Sequence, residues 1–74
     1  MKGKEFVDRA RQVGRERGIE VVWDKTRGKG SHGTLYFGAT GRTTVRDLKD
    51  ELKTGALHGM LRQLGLTWDE FNGR

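Results

Sequence analysis

One histidine, His32, stands in the run Gly28-Lys29-Gly30-Ser31-His32-Gly33, directly before the apolar stretch Thr34-Leu35-Tyr36-Phe37. Imidazole is the side chain whose ordinary pKa lies closest to neutrality, so it both accepts and donates a proton at physiological pH. Lys25, Arg27 and Lys29 crowd the approach to it. Cations in that number attract a phosphate backbone. The combination points to proton transfer on a nucleic acid. Gly28 and Gly30 present no side chain, so their backbone N–H groups are free to approach a phosphate closely. Ser31 fits a role in shaping the chain before the strand better than that of a nucleophile, because no aspartate–histidine pattern accompanies it. Tyr36 stands two alternations beyond His32, suited either to stacking a base or to packing on the sheet.

Other chemistries find less support. The chain has no cysteine, and its two histidines lie far apart in sequence, so no metal site and no cofactor are expected. His58 falls at the flank of an apolar helical stripe, where a structural role competes with a second catalytic one. Trp23 and Trp68 fit packing or partner contacts better than RNA platforms. Arg42 and Arg46 either extend a phosphate track or lie on a solvated edge.

Charge is distributed unevenly. Residues 1–46 carry 11 Lys and Arg against 5 Asp and Glu, whereas residues 47–74 carry 4 against 5, and the net charge is +5. A basic first half favours an anionic partner. No apolar run approaches the roughly 20 residues that cross a bilayer, and the first residues lead into a charged helix rather than a signal core. A cytoplasmic protein of one domain, residues 1–74, with no membrane partner, is expected. A chain this short buries only about 60% of its unfolded surface, so each core contact counts.

The elements that must position these residues follow from periodicity. Phe6, Ala10 and Val13, widened by Val7, predict a helix over 4–17 that stops at Gly18. Arg9, Arg11, Arg15 and Arg17 lie off the stripe, as a solvated face or, less favourably, a phosphate contact. Residues 19–23 are β-rich and predict a strand; 24–30 form a polar loop; 31–37 form a second strand. Residues 38–41 predict a hairpin turn and 42–45 a third strand. Residues 47–53 are ambiguous between loop and helical turn. Thr54 is expected to cap a helix carrying Leu57, Met60, Leu61 and Leu64, with Gly65 ending it. Thr67 and Glu70 form a capping-box pattern for a final turn, with Phe71 available to pack. The simplest arrangement is an α+β fold: a three-stranded antiparallel sheet with both helices on one face. Strand alternation then sets Leu35 and Phe37 inward with Ser31 and Gly33, and turns His32 outward with Thr34 and Tyr36.

These residues carry a family resemblance. The motif from Gly28 to Gly33 and the closing segment Met60-Leu61-Arg62-Gln63-Leu64-Gly65-Leu66 resemble the HicA toxin family, the ribonuclease half of HicA–HicB toxin–antitoxin pairs. The likeness spans roughly residues 3–66. The first helix and hairpin are longer than in the shortest members, and the tail from Thr67 to Arg74 is additional. The resemblance implies an α-β-β-β-α fold like that of double-stranded-RNA-binding domains. It implies a metal-independent endoribonuclease, an mRNA interferase, with His32 as the catalytic residue. It further implies a single-stranded mRNA substrate, a HicB-type antitoxin covering the His32 face, and no direct DNA binding by the toxin alone.

Metal-free RNA cleavage requires loss of the 2′-OH proton, stabilisation of charge on phosphorus, and protonation of the 5′-oxygen. His32 suits the first or the last task, and Lys29 the second. Two competing readings remain open at this level. A non-catalytic RNA-binding module of the same fold would concentrate lysines at the start of its last helix; here only Lys53 stands there. A purely protein-docking domain would leave His32 and the 24–33 segment without a task.

Overall fold

The computed structural model describes residues 1–25 and 32–72. The elements run α1 (Gly3–Arg17), β1 (Val21–Asp24), β2 (Gly33–Phe37), β3 (Gly41–Val45), α2 (Thr54–Leu64) and α3 (Trp68–Phe71). The three strands form one antiparallel sheet in the order β1-β2-β3.

The helices end where glycine permits the left-handed turn. Gly18 has φ 67° and Gly65 has φ 80°. At each end the freed N–H groups return to carbonyls of the last turn: Ile19 to Gly14, and Leu66 to Leu61. All three helices bury their stripes on the same side of the sheet. Phe6, Val7, Ala10 and Val13 of α1 share one core with Leu35, Phe37 and Val45 of the sheet and Leu57, Leu61 and Leu64 of α2. Phe71 from α3 closes that core, its ring 4.9 Å from the ring of Phe6. Met60, expected in the stripe, is only partly buried at its edge.

Several boundaries differ from the sequence expectation. β1 begins at Val21 rather than 19, because the Ile19 N–H is taken by the Gly14 carbonyl at the helix end; the Gly38 N–H still donates to the Glu20 carbonyl, one step beyond the last ladder pair, Val21 with Phe37. Gly41 belongs to β3 and pairs with Phe37, so the hairpin loop is only residues 38–40, with Gly38 at φ 70°. A Cβ on Gly41 would lie 2.9 Å from the Leu64 carbonyl oxygen, so α2 is seated directly on this backbone. Thr54 is not the cap of α2. Lys53 occupies that position in extended geometry, without a side-chain bond, and its carbonyl receives the Leu57 N–H.

The segment 46–53 has a structural task that its composition does not announce. It lies along the start of α1, whose cap residue Lys2 makes no side-chain capping bond. Gly3 N–H donates to the Asp50 carbonyl and Lys4 N–H to that of Leu48. Backbone carbonyls thus satisfy helix donors that a serine or aspartate would ordinarily serve. The approach is close: a Cβ on Gly3 would fall 2.4 Å from the Asp47 carbonyl oxygen.

The expected solvated arginine face is real only in part. Arg9 is half-buried, and its Nη1 donates to Asn72 Oδ1 at 2.9 Å. Arg17 reaches Glu70 at 3.2 Å. These two side chains strap α3 onto α1, while Arg11 and Arg15 are exposed. The reason is the tail, which brings acceptors back across α1.

Candidate functional site

The second face of the sheet carries no covering element among the described residues. Its side chains are Val22 and Asp24 from β1, Thr34 and Tyr36 from β2, and Arg42 and Thr44 from β3, set by strand alternation opposite the core positions. Val22 is 44% exposed, which a covered sheet face would not allow.

His32 immediately precedes Gly33 and is exposed. β2 begins at Gly33 rather than 31, so His32 stands just outside the strand, and alternation carried one residue beyond it assigns His32 to the open side. The ladder itself stops at the Gly33–Val45 pair. Carried one step further, the same register sets His32 against Arg46, which is also exposed. The open side of β2 and β3 therefore reads as a series of cross-strand positions: Tyr36 with Arg42, Thr34 with Thr44, then His32 with Arg46. Two cations bracket the series, and neither has an ion pair among the described residues.

Lys25 directly follows β1 and is exposed at the same end of the sheet as His32. Arg27, Gly28, Lys29, Gly30 and Ser31 lie outside the described residues. Among the described residues the structure thus brings together His32, Tyr36, Arg42 and Arg46 on the open side and its margin, with Lys25 at its end.

Gln63 is a neighbour that sequence reasoning misses. A recess of about 400 Å³ opens beside Tyr36, lined by Thr34, Tyr36, Arg42, Thr43, Thr44 and Gln63. Thr43 is buried on the core side of β3, and its hydroxyl donates to Gln63 Oε1 across the strand edge. Helical spacing places Gln63 off the apolar stripe of α2, but no local signal links it to a residue 20 positions earlier.

Trp23 buttresses the site from the core side. Its ring lies over Gly33, next to His32, where a Cβ would come within 2.6 Å of ring carbons. Its Nε1 is buried and has no acceptor among the described residues.

His58 and Trp68 meet elsewhere. Their rings are 6.2 Å apart, and both residues are exposed. Trp68 continues to Phe71 at 6.3 Å. His58 therefore belongs to the α2–α3 junction and not to the open sheet face.

Glu70 has a displaced pKa. It is lowered from the ordinary carboxylate value, first by the Thr67 backbone N–H, then by hydrogen bonds from Arg17 and the Thr67 hydroxyl. This is a fastening of α3, remote from His32.

Among the described residues, no helix is long and apolar enough to cross a membrane. Set beside known family models, curated proteins and solved structures, the chain matches none of them.

Proposed function

We propose that this chain is a metal-independent endoribonuclease with His32 as its proton-transfer residue, acting as the toxin half of a HicA-type toxin–antitoxin pair. The observation that carries the reading is the exposed His32 directly before β2, at the margin of a sheet face left uncovered by the described residues, with the exposed Arg46 directly after β3 and Lys25 at the same end of the sheet. The net charge of +5 suits an RNA substrate. The element order and one-sided helices suit the double-stranded-RNA-binding-like fold that the resemblance implies.

In this reaction a 2′-hydroxyl loses its proton and its oxygen attacks the adjacent phosphorus. The P–O5′ bond breaks, and the departing oxygen takes up a proton. The products are a 2′,3′-cyclic phosphate and a 5′-hydroxyl. His32 serves the first proton transfer or the last. Arg46 faces the charge that grows on the phosphoryl oxygens, sharing with Lys29 the role that sequence reasoning gave to the lysine. A guanidinium offers two parallel donors to such oxygens. A HicB-type antitoxin would inhibit by covering this face.

The test is RNA cleavage in EDTA by wild type and His32→Ala, with the product ends identified. The variant is expected to lose about 10²–10⁴-fold in rate, the usual worth of a general acid or base. Its melting temperature stays unchanged because the side chain is exposed. Equal cleavage by both proteins removes His32 from the mechanism. Tight RNA binding without cleavage by either moves the reading to a non-catalytic RNA-binding module.

A further inference from the structure

The recess beside Tyr36 has a chemistry of its own. We propose that it is a nucleobase subsite and that it selects guanine. The proposal rests on the ribonuclease reading and adds the base that the enzyme prefers near the scissile phosphate.

Size and position come first. The recess is about 400 Å³, within the range of small-molecule sites. Strand rise sets Thr34 about 7 Å and Tyr36 about 13 Å along the chain from His32. Those distances correspond to the nucleotides flanking a phosphate held at His32. Single-stranded RNA is read mainly through unstacked bases that lie on aromatic rings and are hydrogen-bonded at their edges. Tyr36 is half-buried, so one part of its ring is held by the sheet and another is open to the recess.

The balance of donors and acceptors then narrows the base. Arg42 stands directly opposite Tyr36 in the ladder. It carries five N–H donors and no acceptor. Arg42 has no ion pair among the described residues, so those donors are available. Gln63 Oε1 is already engaged by the Thr43 hydroxyl. That bond leaves the Gln63 NH₂ group as the free end of the amide. Two walls of the recess therefore present donors. Guanine answers with two adjacent acceptors, O6 and N7, to which arginine binds bidentately. Adenine places an amino donor beside N7 and would face the arginine with it; cytosine, whose adjacent acceptors O2 and N3 are exposed in a single strand, offers Tyr36 a smaller ring to stack on than guanine does. Uracil offers one acceptor in that position and a smaller surface for stacking.

The experiment uses single-stranded RNAs identical except for G, A, C or U at one position. Cleavage sites are mapped with wild type, Arg42→Lys and Gln63→Leu. Binding of the same RNAs is measured with His32→Ala alone and combined with Arg42→Lys. Wild type is expected to favour guanine by at least 10-fold, and Arg42→Lys to lose about 10–100-fold of that discrimination, because lysine keeps the charge but not the paired donors. The salt dependence of binding should stay the same, which separates base reading from simple phosphate attraction. Cleavage without base preference, or a preference that survives Arg42→Lys, overturns the subsite and leaves the ribonuclease reading intact. Guanine-selective, Arg42-dependent binding with no cleavage supports the subsite and overturns the ribonuclease. Failure to bind RNA overturns both.

Discussion

The indole of Trp23 lies across the backbone of Gly33, and only the missing side chain at Gly33 lets it do so. This contact joins β1 to the first residue of β2, one position from His32. It fixes the end of the sheet from the core side, while no described element covers the opposite side. Gly33→Ala should force the ring to shift, at a cost of about 1–3 kcal/mol. In a domain of this size that corresponds to roughly 4–8 °C of melting temperature per kcal/mol. Thermal melts followed by tryptophan fluorescence would show both the loss and the altered ring environment. An unchanged melt and spectrum would mean that the ring does not hold this position.

Arg46 and Lys25 should contribute to RNA affinity through charge. Each alanine substitution is expected to flatten the slope of log K against log salt by about 0.7 for a single strand. Arg11→Ala, on the remote face of α1, should leave the slope unaltered. A slope equally insensitive at all three sites would take the sheet margin out of the RNA path.

Phe71 is fully buried against Phe6. Phe71→Ala should cost about 3–5 kcal/mol. A domain this small holds little more than that in reserve, so the variant should be largely unfolded at room temperature by circular dichroism. A variant that melts within a few degrees of wild type would show that α3 is an ornament on an independent core.

Glu70 sets an acid limit on the same fastening. Its pKa is lowered in the folded protein, so the unfolded chain binds its proton more readily. The contribution is complete at pH above the ordinary glutamate value of about 4.3. It disappears as pH falls from there through the lowered folded pKa. Glu70→Gln should therefore melt earlier than wild type at neutral pH and converge with it in acid. A constant gap across that range would show that the charge is not what Glu70 supplies.

What could be read in the sequence was what is encoded locally. The stripe from Phe6 to Val13, the stripe from Leu57 to Leu64 and the Thr67–Glu70 capping box are near-neighbour patterns, and all three are present. The exposure of His32 was expected from strand alternation, although β2 starts at Gly33 and does not include it. The capping of α1 by residues 48 and 50 was not legible, because backbone carbonyls carry no residue signature. Nor was the approach of Gln63 to Thr43, or of Arg9 to Asn72, since each depends on how separate elements meet. Thr54 looked like a cap because threonine favours that position; the helix instead starts one residue earlier on the extended geometry of Lys53.

The packing of Phe71 on Phe6 also bears on the order of events during synthesis. Residue 6 leaves the ribosome early, while its ring partner follows 65 residues later. Until then α1 lacks part of its cover, and Arg9 and Arg17 lack the acceptors that α3 and Asn72 bring. The nascent chain therefore cannot close its core progressively from the N-terminus. Closure of the core waits for nearly the whole domain to emerge, and the packing beneath the sheet is complete only after translation has passed Phe71.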